Sequence, residues 1–216
     1  MAKQAYVYSG TDWVPLASEV TNLSNYQLSS GTGLNTIIPT SVAVGSGSGS
    51  VSAIGVVTFS GASSVSINDC FNSTYDNYKI IFKLSGVTAD GVVYVKLRAS
   101  GTDSSVNYYW GLYGVVAGSS TAIVNNASNV SNGFLVMEDD TGSSAKPTFA
   151  EMTFLNPKVA EPTSMIGQNI SSTNAGTPVG INIWGLHTPS TSYDGLTFVP
   201  TAGNISGTIS VYGYKD

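Results

Sequence analysis

The sequence predicts an all-β protein: an antiparallel β-sandwich, jelly-roll-like, with a short N-terminal β-hairpin anchor and a Gly/Ser-rich linker. Three observations carry this. First, only 8 basic and 13 acidic residues occur among 216, while 42% of the chain is hydrophobic and 24 residues are glycine. Ser, Thr and Asn supply about a third of the chain, a makeup suited to short strands and tight turns. Disorder is excluded, because disordered chains combine low hydrophobicity with high net charge. Second, candidate strands arrive every ten to fifteen residues from Val56 onward, with no helical window of ordinary length. Third, no internal repeat is present, which argues against a solenoid or propeller.

Residues 1–28 read as one small unit. Gln4 to Tyr8 predicts a strand, Ser9-Gly10-Thr11-Asp12 a turn, and Trp13-Val14-Pro15-Leu16 a return strand whose Pro suits an edge. A lone two-stranded hairpin is marginal in water, so it needs partners. Tyr6, Tyr8, Trp13, Val14 and Leu16 are the candidate anchoring residues. Leu16, Val20 and Leu23 follow at helical spacing for barely one heptad. Residues 29–55 change character, with Gly45-Ser46-Gly47-Ser48-Gly49-Ser50 reading as a flexible linker.

Residues 56–216 are the expected sandwich. Tyr78, Ile80, Phe82 and Leu84 share one face and Lys79 and Lys83 the other. Val93, Val95 and Leu97 alternate with Tyr94, Lys96 and Arg98. The connection Ser85 to Gly91 predicts that these two strands form a hairpin. Further strands are expected at Val56–Ser60, Val65–Ile67, Tyr108–Val115, Gly133–Met137, Thr148–Leu155, Gly180–Leu186, Leu196–Val199 and Thr208–Tyr214.

The net charge of −5 argues against a nucleic-acid partner, which demands Lys and Arg. Lone Cys70 forms no intrachain disulfide and reads as a small buried hydrophobe. The N-terminus has no apolar signal-peptide core, and no run approaches the ~20 apolar residues of a membrane span, so neither export nor membrane insertion is expected.

Chemistry-bearing constellations are few, and no catalytic, cofactor or metal site is expected. His187 is the single histidine, so any Ser-His-Asp triad would depend on it alone; a surface or packing role is favoured. Glu138-Asp139-Asp140 could ligate a hard cation, but without EF-hand spacing a solvated turn is the better reading. Lys79, Lys83, Lys96 and Arg98 would lie on one hairpin, as an anionic-ligand patch or, the favoured reading, as charges that keep an edge from aggregating. Aromatic residues beside polar ones are a better candidate. Tyr109, Trp110, Tyr113, Trp184, Tyr193 and Asp194 are of the types that stack on sugars and bind their hydroxyls. Consecutive aromatics in a strand also send at least half their number into the core, which is the favoured reading, and the sequence does not separate the two fates residue by residue.

Three stretches resemble the small fibre, knob and appendage proteins of tailed bacteriophages, in particular those of cyanobacteria: Phe71-Asn72-Ser73-Thr74-Tyr75-Asp76-Asn77-Tyr78-Lys79-Ile80-Ile81, Ser192-Tyr193-Asp194-Gly195-Leu196-Thr197-Phe198, and Ile205-Ser206-Gly207-Thr208-Ile209-Ser210-Val211-Tyr212-Gly213-Tyr214. Tyr6 to Leu16 resembles the leader of virion fibre proteins. The resemblance implies a non-enzymatic virion structural protein, a tail or head fibre or appendage assembled in the host cytoplasm, usually as a homotrimer, with other tail or capsid proteins as partners and a role in host-surface attachment. A host cell-surface glycan is the further partner that the aromatic residues suggest. The alternative within that resemblance is a capsid decoration or tail adaptor without a receptor.

Overall fold

The structure, a computed structural model, describes the backbone of residues 6–8 and 13–15, and residues 33–137, 148–173 and 176–215. The chain separates into two units, residues 1–31 and 32–216. In the first, β1 (Tyr6–Tyr8) pairs antiparallel with β2 (Trp13–Pro15), with Val7 opposite Val14. The side chains of the anchoring candidates Tyr6, Tyr8, Trp13 and Val14, all of Leu16, and the helical spacing through Leu23 lie outside the described residues, as do Glu138-Asp139-Asp140.

The second unit is an antiparallel β-sandwich of two packed sheets. The larger runs β12 (Ala122–Val130), β11 (Tyr108–Val116), β16 (Pro178–His187), β15 (Thr163–Ser172), β14 (Thr148–Leu155), β8 (Asn77–Val87), β18 (Ile205–Tyr214), β6 (Val57–Ala62) and β5 (Ser48–Val51), with β3 (Asn35–Ile37) also on β18. The smaller runs β10 (Thr102–Asp103), β9 (Val93–Ala99), β17 (Gly195–Pro200), β7 (Val65–Asn68) and β4 (Ser41–Val44), with β13 (Phe134–Met137) also on β9.

Period-two alternation builds the core. On β8, Tyr78, Ile80, Phe82 and Leu84 are buried; on β18, Ile205, Ile209 and Val211; on β9, Val93, Val95 and Leu97. Aromatic rings tie the sheets together. Phe82 of the larger sheet stacks on Phe198 of the smaller with centroids 4.6 Å apart, and on Phe59 at 6.1 Å. Cys70 is buried in the same core, and burial pushes its thiol pKa up.

Two expectations are corrected. β8 and β9 are not a hairpin, because β8 already pairs with β14 on one edge and β18 on the other, leaving β9 to the smaller sheet. The connection crosses between sheets beside the β17–β18 crossover, where Thr88 donates its N–H to the Asn204 carbonyl at 3.0 Å. Lys79 and Lys83 therefore lie on one sheet, Lys96 and Arg98 on the other.

The second correction concerns residues 29–55, which are not a linker where described. β3, β4 and β5 are strands of the sandwich, and the Gly/Ser run carries the chain from one sheet to the other. Gly and Ser offer little to bury, but their backbone groups pair as well as any other residue's. Ser46 secures the turn by donating to the Gly61 carbonyl at 2.9 Å and accepting from the Ser63 N–H at 3.0 Å. Gly47 has φ +71°, and a Cβ there would lie 2.0 Å from the Ser60 carbonyl oxygen, so only glycine fits.

Candidate functional site

The outward face of the larger sheet carries the site. On β16, Val179, Ile181 and Ile183 point into the core, so the alternate residues Asn182, Trp184 and Leu186 face out. On β11, Tyr108, Trp110 and Leu112 point in, sending Tyr109, Gly111 and Tyr113 out. Register then brings them together. Trp184 stands opposite Gly111 on one side and Ile166 of β15 on the other, with Tyr113 opposite Asn182 and Tyr109 opposite Leu186.

Gly111 makes the aromatic platform possible. A Cβ at that position would lie 2.7 Å from Cζ2 and 2.9 Å from Cε2 of Trp184. The indole therefore rests on bare backbone, and Trp184 remains 52% exposed with Tyr113 at 50%. Exposed large side chains occur singly on any surface, but here Trp184, Tyr113, Ile166, Leu186 and Ile170 gather on one sheet face.

A polar row borders the platform. Asn182, Gln168 of β15 and Glu151 of β14 are consecutive cross-strand partners. Gln168 donates Nε2–H to Asn182 Oδ1 at 3.0 Å, and Glu151 pairs with Lys79 of β8 at 2.9 Å. Together with Thr153, Ile166 and Trp184 these residues line a shallow cleft of about 330 Å³. The Gln168–Asn182 bond uses one donor and one acceptor, so the pair keeps a free amide NH₂ and a free carbonyl oxygen whichever way the amides are turned.

No protein-family model matches the chain, and no curated protein is significantly similar to it. The residues themselves must therefore carry the functional reading.

Of the candidate sugar contacts, the structure assembles Tyr109, Tyr113 and Trp184 and removes three. Trp110 is 7% exposed and faces the core, because it sits in phase with Tyr108 and Leu112. Tyr193 is 2% exposed, its hydroxyl 2.7 Å from His187 Nε2. Asp194 lies beside β9, where its Oδ2 accepts the Ser100 N–H at 2.9 Å and its own N–H donates to the Arg98 carbonyl. Ile166, Gln168, Asn182 and Glu151 escaped the sequence reading. β15 carries no apolar period, because among its inward positions Thr163, Met165, Gly167, Asn169 and Ser171 only Met165 is a large apolar residue.

His187 performs a packing role. It is fully buried, stacks on Tyr108 with centroids 4.1 Å apart, and shares Nε2 with the Tyr193 and Ser104 hydroxyls. Burial pushes its pKa down to about 4, leaving the imidazole neutral. A substrate on the surface has no access to it. Among the described residues no three His, Cys, Asp or Glu side chains gather closely enough to hold a metal ion. The cleft has a single carboxylate, Glu151, already paired. The cleft sets a flat apolar surface, Trp184 and Ile166, beside the amide, hydroxyl and carboxylate groups of Gln168, Asn182, Thr153 and Glu151.

Proposed function

We propose that this protein is a non-enzymatic attachment protein, an appendage of a virion, which binds a host-surface saccharide through the outward face of its larger sheet. The observation that carries the saccharide reading is the Trp184 indole, laid over Gly111 and exposed beside the Asn182–Gln168–Glu151 row. An aromatic ring serving only the core has no reason to face solvent, and a water-facing indole bordered by fixed amides matches a sugar's apolar face and polar rim. The virion assignment rests on the phage-appendage resemblance of Phe71–Ile81, Ser192–Phe198 and Ile205–Tyr214, with the N-terminal unit as the attachment to the particle. Weak affinity suits this role, since a Kd near 1 mM, about −4 kcal/mol, multiplies through many copies on one particle.

The test compares the full-length protein with Trp184→Ala on a saccharide array, followed by titration of the best ligand. Saccharide binding by the parent and a loss of about tenfold or more in the variant, equivalent to at least ~1.4 kcal/mol, is the expected result. Equal binding by both proteins, or none by the parent, would overturn the reading.

A further inference from the structure

β12 presents the longest strand edge left uncovered among the described residues. It spans nine residues and pairs with β11 alone. The opposite edge of that sheet, β5, spans four residues, and the smaller sheet ends on β10 with two and β4 with four. Proteins blunt long edges with lysine, proline, bulges or a covering segment. β12 has little of this beyond a local cap, the Asn126 N–H donating to Asn125 Oδ1 at 2.8 Å. Residues 104–137 contain no charged side chain and no proline. The register slips only at its far end, between Ala127 and Val130, where Asn129 takes φ +56°. Ala122–Ala127 runs regularly opposite Val115–Trp110, and Val124 on its outward face is 68% exposed.

We propose that two copies of the chain join through β12, edge to edge and antiparallel about a twofold axis, so that their larger sheets become one. The charge pattern favours a second copy as the occupant. Chains of net charge −5 repel each other in general, but two β12 edges approach with no charge on either strand. Selecting a foreign strand would require pockets or charges, and Ala122, Val124, Asn125, Asn126 and Ala127 supply none. Isologous pairing also closes the assembly, because each β12 covers the other and no free copy of that edge remains, whereas pairing with β5 would leave edges for continued growth. The apolar surface of Val124, Tyr113 and Val115 lies next to the join.

Where the saccharide reading holds, the pairing has a consequence for it. Trp184 stands two strands in from the join on each side, and a twofold axis normal to the sheet keeps both indoles on one face. Five strand spacings of about 4.8 Å put them about 24 Å apart, a fixed bivalent site. A threefold assembly, as the phage-appendage resemblance implies, cannot pair this edge with itself.

The mass of the full chain in solution decides the matter independently of any ligand. Light scattering on a gel-filtration column is expected to give about 45 kDa, twice the 22.3 kDa chain. The double substitution Val124→Lys with Asn126→Lys crowds four ammonium groups around the axis, and a shift to monomer with at least a ~100-fold weaker dimer is expected. Should that variant misfold, hydrogen exchange on the parent gives the answer: amides of residues 122–127 should slow as concentration rises from ~1 to ~200 μM. A parent that stays monomeric throughout, a trimer, a dimer untouched by the double substitution, or exchange independent of concentration would each overturn the proposal.

Discussion

The two faces of β16 are built from one decapeptide and have opposite purposes. Its inward residues, Val179, Ile181, Ile183 and His187, are all buried, while its outward residues include Gly180, Asn182, Trp184 and Leu186, exposed to water. The core explains the first set completely, since each apolar side chain there contributes roughly 1.5–3 kcal/mol by leaving water. It does not explain the second. A sheet face with no structural demand for a tryptophan nevertheless holds one, on a glycine that makes room for it. The lesson is that burial sorts the aromatic residues by purpose: Trp110 and Tyr193 serve the fold, Trp184 and Tyr113 the surface.

The comparison breaks if the two faces are not separable by mutation. Phe82→Ala should have the largest effect, because Phe82 stacks on both Phe59 and Phe198 and its removal leaves a cavity at the junction of the sheets. A loss of about 3–5 kcal/mol in urea unfolding is expected, with saccharide affinity per folded molecule unchanged. Weakened binding by a protein that remains fully folded would show that core and surface are coupled.

Acid tests the inward face alone. The unfolded histidine has a pKa near 6.5, and the folded His187 is held at about 4 by burial. Above pH 6.5 both states are neutral, and the burial costs nothing. As pH falls from about 6.5 to about 4 the unfolded chain gains a proton that the fold refuses, so stability declines by up to about 1.4 kcal/mol per pH unit, roughly 3 kcal/mol in all, and this contribution levels off below pH 4. The urea midpoint of the parent should fall over this range by more than that of His187→Gln. Parallel curves would mean that His187 titrates freely.

Much of this architecture was legible in the residues, and the failures have a common cause. β8, β9, β14 and β18 announce themselves because one face of each is apolar at every second position. β12 buries neither face fully, and β15 packs Thr163, Gly167, Asn169 and Ser171 inward, with Asn169 donating Nδ2–H to the Val136 carbonyl at 3.0 Å. Neither therefore carries the apolar period. The Gly/Ser run misled for the reverse reason: composition reports what side chains cannot bury, while strand pairing is made by the backbone. The site divides in the same way. Trp184 and Tyr113 stood out as residue types, but the neighbours that complete the surface, Ile166 and Gln168, are set by the register of β15 against β16, a long-range property that no local spacing encodes.

The smallest expected effect gives the sharpest view of the outward face. Gln168 is exposed, and its bond to Asn182 joins two surface amides, so it contributes little to folding. Gln168→Leu should leave stability within about 0.5 kcal/mol of the parent. For a ligand on the platform, the substitution removes one amide hydrogen-bonding partner and frees the Asn182 carbonyl, which water then solvates at no great cost. A loss of about 0.5–1.5 kcal/mol in binding, roughly three- to tenfold in Kd, is expected by titration calorimetry. An unchanged Kd, with Trp184→Ala still defective, would confine the ligand to the aromatic half of the face, over Tyr113 and Leu186 and away from the cleft. The amide row would then serve only to hold β15 and β16 in line.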